Sequence, residues 1–207
     1  MKLTENTGRI TGYSIIVMFL LGIFALMGLD SKIIVDGDPT ATYNNIITFK
    51  LDFWIGIAGY LIILILDLVV SLGFYYIFEP ANRKLSLFSA ILRLTYTGIA
   101  LVCVVALAFC YSEFYVNGLL IAYFFFILHL FILGITILKA DYVPIFFGVL
   151  FVVAAPLYIV LIYGHLFLPA EMFNLMNYIV MGPAILAELL LGIWLIIRTR
   201  KIAGVTK

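Results

Sequence analysis

Four ionisable side chains stand inside long apolar runs of this 207-residue chain: Asp67, Arg93, His129 and Glu188. Two carboxyls, a guanidinium and an imidazole are the groups from which ion-pair networks, proton relays, anion pockets and metal sites are assembled. An ionisable group at the middle of a membrane helix costs about 2.5–3.5 kcal/mol even on the lenient insertion scale. Each of the four should therefore face other helices and have a polar partner. A carboxyl left unpaired at that depth would be neutral, whereas one beside Arg93 can stay ionised.

The elements that must position them follow from composition. Hydrophobic residues make up 66% of the chain, charged residues 11%, and mean hydropathy is +1.24. A soluble domain has about 45–50% apolar and about 25% charged residues, so too little charge is present here to coat a water-facing surface. A helix needs about 20 apolar residues to cross the hydrocarbon, and six runs qualify: Ile10–Leu29, Leu51–Phe78, Ser86–Tyr111, Gly118–Leu138, Pro144–Leu168 and Tyr178–Ile197. Turn and cap residues separate the later runs, among them Ser112, Asn117, Asp141, Pro144, Pro169 and Asn177. The first run follows Lys2 and Arg9 but is too long for a signal peptide and has no A-x-A site after it, so it is expected to be an anchor. The expected fold is an all-α transmembrane bundle of six helices.

Charge gives that bundle a direction. With the N-terminus inside, Lys2, Arg9, Arg83, Lys84, Arg93, Lys139, Arg198, Arg200, Lys201 and Lys207 fall at the inner side, against Lys32 and Lys50 outside. This positive-inside split puts both termini in the cytoplasm. The long connection Asp30–Lys50 lies outside, and Asp38-Pro39 reads as a cap and first turn. A straight helix from Pro39 to Phe78 would be about 60 Å long; a short separate outer helix over Pro39–Lys50 is expected instead.

Depth and facing then bring the four residues together. Asp67, His129 and Glu188 lie near mid-membrane, and Arg93 reaches up from the inner side. At 100° per residue, Gly56, Tyr60, Asp67 and Ser71 share one stripe. Ser89, Arg93, Thr97, Ala100 and Tyr111 share a second; Gly118, Ala122, His129 and Thr136 a third; Asn177, Ala184, Glu188 and Gly192 a fourth. Small and polar residues are what helix contacts in membranes use. Tyr60 and Tyr96 join the four as candidate lining of a site.

Several chemistries compete for this cluster. One is a satisfied structural network, with Arg93 paired to Asp67 or Glu188 and His129 taking the remaining contact. Another is a ligand site or proton relay. His129, Asp67 and Glu188 are acceptable metal ligands but follow no spacing motif. Haem between His129 and His165 is disfavoured because the two lie at different depths. No cofactor or metal is expected. Cys103 and Cys110 are seven apart, about 10 Å of helix rise, too far for a disulfide, and read as small buried fillers. His165, Glu113 and Glu171 read as solvated rim residues, and Pro156 and Pro183 as kinks. No P-loop, dinucleotide fingerprint or nucleic-acid motif is present.

The stretch Phe124–Tyr158 carries a pattern F-x-x-x-H-L-x-x-x-G, a short charged turn, P-x-x-x-G-V-L and a terminal Tyr, at His129, Leu130, Gly134, Pro144, Gly148, Val149, Leu150 and Tyr158. Arg9-Ile10-Thr11-Gly12, the run from Tyr75-Tyr76 through Pro80, Asn82 and Arg83 to Arg93, and Ala187-Glu188-Leu189 before Trp194-Leu195 extend it. This resembles the bacterial membrane family called domain of unknown function 4386, over nearly the whole chain, departing at Ala155-Pro156 where a glycine is usual. The resemblance implies a six-helix protein of the bacterial cytoplasmic membrane and no activity; Arg93, His129 and Glu188 match recurrent positions of the family.

The leading expectation is a pocket between spans two, three, four and six for a lipid-like or small-molecule ligand, anchored by Asp67, Arg93, His129 and Glu188. A proton-coupled carrier is the alternative, for which six spans are few and a homodimer is the expected arrangement. An intramembrane enzyme, with His129 as base and Arg93 as oxyanion partner, has no nucleophile motif behind it. A structural or assembly partner within the bilayer is the fourth reading.

Overall fold

An apolar run in lipid has no water to serve its backbone N–H and C=O groups, so it must satisfy them internally as helix. The computed structural model describes residues 5–25, 29–35, 37–167 and 185–198, with the backbone alone for 5, 160–163, 165 and 166. Among them the regular elements are helical: α1 (Glu5–Ala25), α2 (Pro39–Thr48), α3 (Lys50–Phe78), α4 (Arg83–Ala108), α5 (Ser112–Leu138) and α6 (Ile145–Phe167), then α7 (185–198). Asn6–Ala25 of α1, and α3, α4 and α5, are long and apolar enough to cross a membrane, and Ile145–Ile159 of α6 forms a shorter apolar helix. The described residues thus hold four candidate spans of the six expected. Lys2, Asp36, Pro169, Glu171, Asn177, Pro183, Ala184, Arg200, Lys201, Lys207, the start of the expected sixth span and the side chain of His165 lie outside the description.

The helices form a ring. α1 packs on α3, α3 on α4, α4 on α5 and α5 on α6. Phe147 of α6 meets Trp194 of α7 with ring centroids 5.9 Å apart, and α7 returns to α1. There a Cβ on Gly12 would lie 2.4 Å from the Gly192 carbonyl oxygen, so only bare backbone fits. Gly134 and Gly148 do the same for α5 and α6, a Cβ on either falling 3.0 Å from the other's carbonyl oxygen. Short connections at 79–82, 109–111 and 139–144 make successive helices antiparallel neighbours. The polarity of the ring is that of a protein solvated by lipid. Phe24, Ile65, Ile121 and Ile145 point outward, whereas Asp67, Arg93 and His129 are buried.

The expected short helix between the first two spans is present as α2. Asp38 caps it by accepting the Ala41 N–H at 2.8 Å, with Pro39 in the first turn. Thr42 Oγ1 accepts from the Val35 N–H at 2.9 Å and lies 3.2 Å from the Val35 carbonyl, and Asn45 donates to the Ile33 carbonyl. The segment 29–35 and α2 are therefore one folded unit, seated on α3 and α5 with Leu29, Ile33 and Ile46 buried beneath it.

Two expected boundaries move. α4 ends at Ala108, not Tyr111, and α5 begins at Ser112, not Gly118, which places Asn117 inside a helix rather than in a turn. The cause is the junction at Cys110, whose φ is +66°. Its N–H reaches the Leu107 carbonyl at 2.8 Å and the Tyr111 N–H reaches Ala106 at 3.0 Å, the Schellman arrangement that glycine usually closes. A cysteine there hides the signal. Cys110 is accordingly exposed, correcting its expected role as a buried filler, while Cys103 is buried as expected. Tyr111 is exposed too, off the interior stripe assigned to it. An L-residue in the left-handed region costs about 1–2 kcal/mol. Cys110→Gly should raise the stability of the detergent-solubilised protein by about that amount, and Cys110→Ala should not; equal unfolding midpoints would refute the strained junction.

Candidate functional site

Arg93 is the largest fully buried side chain among the described residues, 1% exposed. A guanidinium has five N–H donors and cannot be neutralised in a protein, so its burial obliges neighbouring helices to supply acceptors. Nε donates to Asp67 Oδ1 of α3 at 2.8 Å, and Nη2 lies 2.6 Å from the same oxygen. Nη1 donates to Glu188 Oε1 of α7 at 2.6 Å and lies 3.1 Å from His129 Nε2 of α5. Nη2 also reaches Glu188 Oε2, at 3.5 Å. Two aromatic rings also pack against the guanidinium, Phe74 at 5.6 Å and Phe126 at 5.7 Å from Cζ to ring centroid. A further anion could reach this arginine only by displacing a carboxylate already on it.

The geometry assigns the histidine's proton. Arg93 has no lone pair to offer, so His129 Nε2 must accept, and the ring proton sits on Nδ1. Nδ1 lies 2.9 Å from both the carbonyl oxygen and Oγ of Ser89 on α4, which receive it. The imidazole is thus neutral and is held flat against Phe74, ring centroids 6.4 Å apart. Thr97 Oγ1 contacts Asp67 Oδ2 and lies 2.9 Å from the Arg93 carbonyl.

The charges do not cancel. One guanidinium faces two carboxylates beside a neutral histidine, leaving one excess negative charge when both acids are ionised. The acids are also unequal. The Asp67 side chain is 2% exposed and both of its oxygens are engaged. Glu188 is 16% exposed, and among the described residues its Oε2 has only the 3.5 Å contact with Arg93.

Asp67, Arg93, His129 and Glu188, expected together from their helix faces, are in direct contact. Tyr60 is not with them. Its side chain leans toward the start of α3, as helical side chains do, and its hydroxyl donates to Asp30 Oδ2. Tyr115 of α5 donates to Asp30 Oδ1 at 3.0 Å. Asp30, which read as one of several outer acids, therefore forms a second polar cluster. Burial pushes its carboxyl above the ordinary aspartate range, partly offset by the two hydroxyls. Tyr96 lies between the clusters, its ring 4.9 Å from Phe126 and 6.4 Å from Tyr123. Asp30, Tyr115 and Tyr123 escaped the sequence reading because their partners lie on other elements; Tyr60 is 30 residues from Asp30 and Tyr115 is 85. Among the described residues no cluster of three or more His, Cys, Asp or Glu side chains suits a metal ion.

The sequence model of a family described as "Domain of unknown function (DUF4386)" matches residues 10–112 and 105–199. An uncharacterized protein of the archaeon Archaeoglobus fulgidus is 30% identical over 152 residues, covering 72% of this chain and 86% of that protein. No solved structure matches the chain.

Removing one partner of a buried ion pair costs about 3–5 kcal/mol, because the remaining charge stays buried. Arg93→Met should destabilise the protein by that order in detergent unfolding. Adding Asp67→Asn and Glu188→Gln should restore most of the loss; a triple variant as unstable as the single one would show that packing, not charge, sets the effect.

Proposed function

The chain belongs to the domain of unknown function 4386 family, and on that premise we propose a multi-pass protein of the cytoplasmic membrane whose Arg93 cluster binds and releases one proton at Glu188. The charge count carries this reading: two carboxylates, one guanidinium and a neutral imidazole leave a single negative charge in a low-dielectric interior. One proton removes it. Burying an uncompensated charge costs several kcal/mol, and a single proton on the cluster relieves that cost. Glu188 is the exchangeable member because it is the more accessible acid and has the freer oxygen.

Protonation has a mechanical consequence. Glu188 joins α7 to Arg93 of α4 by a charge-assisted bond of 2.6 Å, roughly twice as strong as a neutral one. A neutral Glu188 holds α7 less firmly, while Asp67 keeps α3 and α4 together. Proton uptake then frees one helix of the ring against a fixed remainder, which is what a proton-coupled carrier requires. With both termini cytoplasmic, α2 and the Asp30 cluster face outward.

A second reading, retention of a lipid-like or small apolar ligand, draws on the aromatic wall beside Glu188. Tyr96, Tyr123, Phe126 and Tyr158 are contiguous, with centroids 4.9 to 6.4 Å apart. Native mass spectrometry of the gently extracted protein separates the readings, since only the second expects a retained small molecule.

The proton reading is tested by infrared titration of the protein in nanodiscs. Lowering the pH should produce a protonated-carboxyl band that disappears in Glu188→Gln and persists in Glu113→Gln, an exposed acid at the start of α5. A band unaffected by Glu188→Gln would sink the assignment.

A further inference from the structure

A mid-membrane acid exchanges protons only if a polar route connects it to water, and the neighbours of Glu188 along α7, from Ile185 to Leu191, are apolar. One feature of the fold crosses that gap. Asp30 accepts the hydroxyls of Tyr60 and Tyr115, whose rings are 6.5 Å apart. Tyr123, two turns further along α5, stacks on Tyr96 of α4 with ring centroids 6.4 Å apart. Phe126, one turn beyond, borders Tyr96 at 4.9 Å and Tyr158 of α6 at 5.8 Å and lies 5.7 Å from Arg93 Cζ. The phenols thus form a single column from the α2 end of the ring to the Arg93 cluster, carried by α3, α4, α5 and α6.

We infer that Asp30 is the entry of a proton route that passes Tyr60, Tyr115, Tyr123, Tyr96 and Tyr158 to serve Glu188, an inference that rests on the reading of Glu188 as the exchanging acid. The residue types suit this. A phenol hydroxyl both donates and accepts, so it can receive a proton from one side as it gives its own to the other and is left unchanged. A proton from bulk water joins the Asp30 carboxylate. Its equivalent moves on through hydroxyls and bridging water, and the last donor leaves one proton on Glu188 Oε2. Release reverses each step. No bond between heavy atoms changes and no tyrosinate persists.

Two further observations support the entry. The groups facing Asp30 are Tyr60 of α3 and Tyr115 and Tyr123 of α5, while Lys32 on its own segment is turned to Asp52. Among the described residues Asp30 therefore holds no fixed cation and is open to a mobile one. Its carboxyl sits above the usual aspartate range through burial, so the folded protein keeps a proton there to higher pH than a solvated aspartate would. Among the described residues the hydroxyls of Tyr96 and Tyr123 have no hydrogen-bond partner in the protein, which leaves them free to turn between neighbours.

The test follows the rate, not the equilibrium, of Glu188 protonation. The whole protein in nanodiscs is given a rapid pH drop and the Glu188 infrared band is followed in time. Asp30→Asn and Tyr123→Phe should each slow its appearance about tenfold or more, a modest share of what positioned proton transfer contributes, with the final band height unchanged. Tyr123→Phe keeps the ring and its stacking, so it guards against a simple folding defect. Tyr142→Phe removes a hydroxyl bonded to the Ile77 carbonyl, outside the column, and should leave the rate alone. A Glu188 band that rises equally fast in Asp30→Asn and Tyr123→Phe overturns the route and leaves the exchanging acid standing. A wild-type protein without a Glu188 band overturns both.

Discussion

A guanidinium in a bundle surrounded by lipid is the constraint on which the other positions turn. Arg93 cannot shed its charge, and at this depth it has no water to turn to. Every one of its donors must find an acceptor on a neighbouring helix, and five donors in a rigid fork allow few arrangements. Asp67 fixes α3, His129 fixes α5 and Glu188 fixes α7, while Phe74 and Phe126 pack against the guanidinium. A shift of one helical turn in any of these elements would strand a charge. Hydrophobic matching alone would tolerate such a shift, because the outer faces of the helices are uniformly apolar and lipid does not distinguish one leucine from another.

Close packing supplies the attraction that the polar centre then directs. Glycine pairs at the α1–α7 and α5–α6 contacts let backbones approach to a distance no Cβ would permit. The two devices act on different coordinates: bare glycine backbone sets how near two helices lie, and the Arg93 fork sets their register. The segment 29–35 with α2 follows a third rule, since it is held by capping and by side chains that bond backbone groups of its own loop. Leu29, Ile33 and Ile46 seat it on the bundle and Asp30 adds a polar link, so the mouth of the ring and its centre each contain a carboxylate with its donors.

Much of the central cluster was legible because a helix repeats every 3.6 residues. Asp67, Arg93, His129 and Glu188 each share a face with small or polar residues, and faces of that kind must meet inside the ring. What the residues could not disclose was pairing, since which carboxylate meets which nitrogen depends on helix order and tilt. Tyr60 shows the limit well. It shares a stripe with Asp67, yet the stripe says nothing of the direction in which a long side chain leans, and Tyr60 leans toward the α2 end. Cys110 shows another. Helix stops are read from glycine, and a cysteine forced into the left-handed region erases the mark, so α4 was drawn too long and α5 too short. The count of spans is a question of the same kind, because α6 carries Pro156 inside it and only residues 185–198 of α7 belong to the described part of the chain.

The two acids on Arg93 are not equivalent, and the asymmetry has a direction. Asp67 meets Arg93 through two nitrogens and takes Thr97 on its other oxygen, all between α3 and α4, which are adjacent in sequence and joined by a short turn. Glu188 meets the arginine from α7, far along the chain, and is the more exposed of the two acids, 16% against 2%. A network designed for rigidity alone would gain by burying both acids equally or by dispensing with one, since a second carboxylate adds an uncompensated charge. The arrangement found keeps one acid locked and leaves the other at the edge of the site, at the end of a column of phenols. That is a division between a fixed acid and a freer one, and it is difficult to account for by packing, which Leu or Gln at position 188 would serve as well.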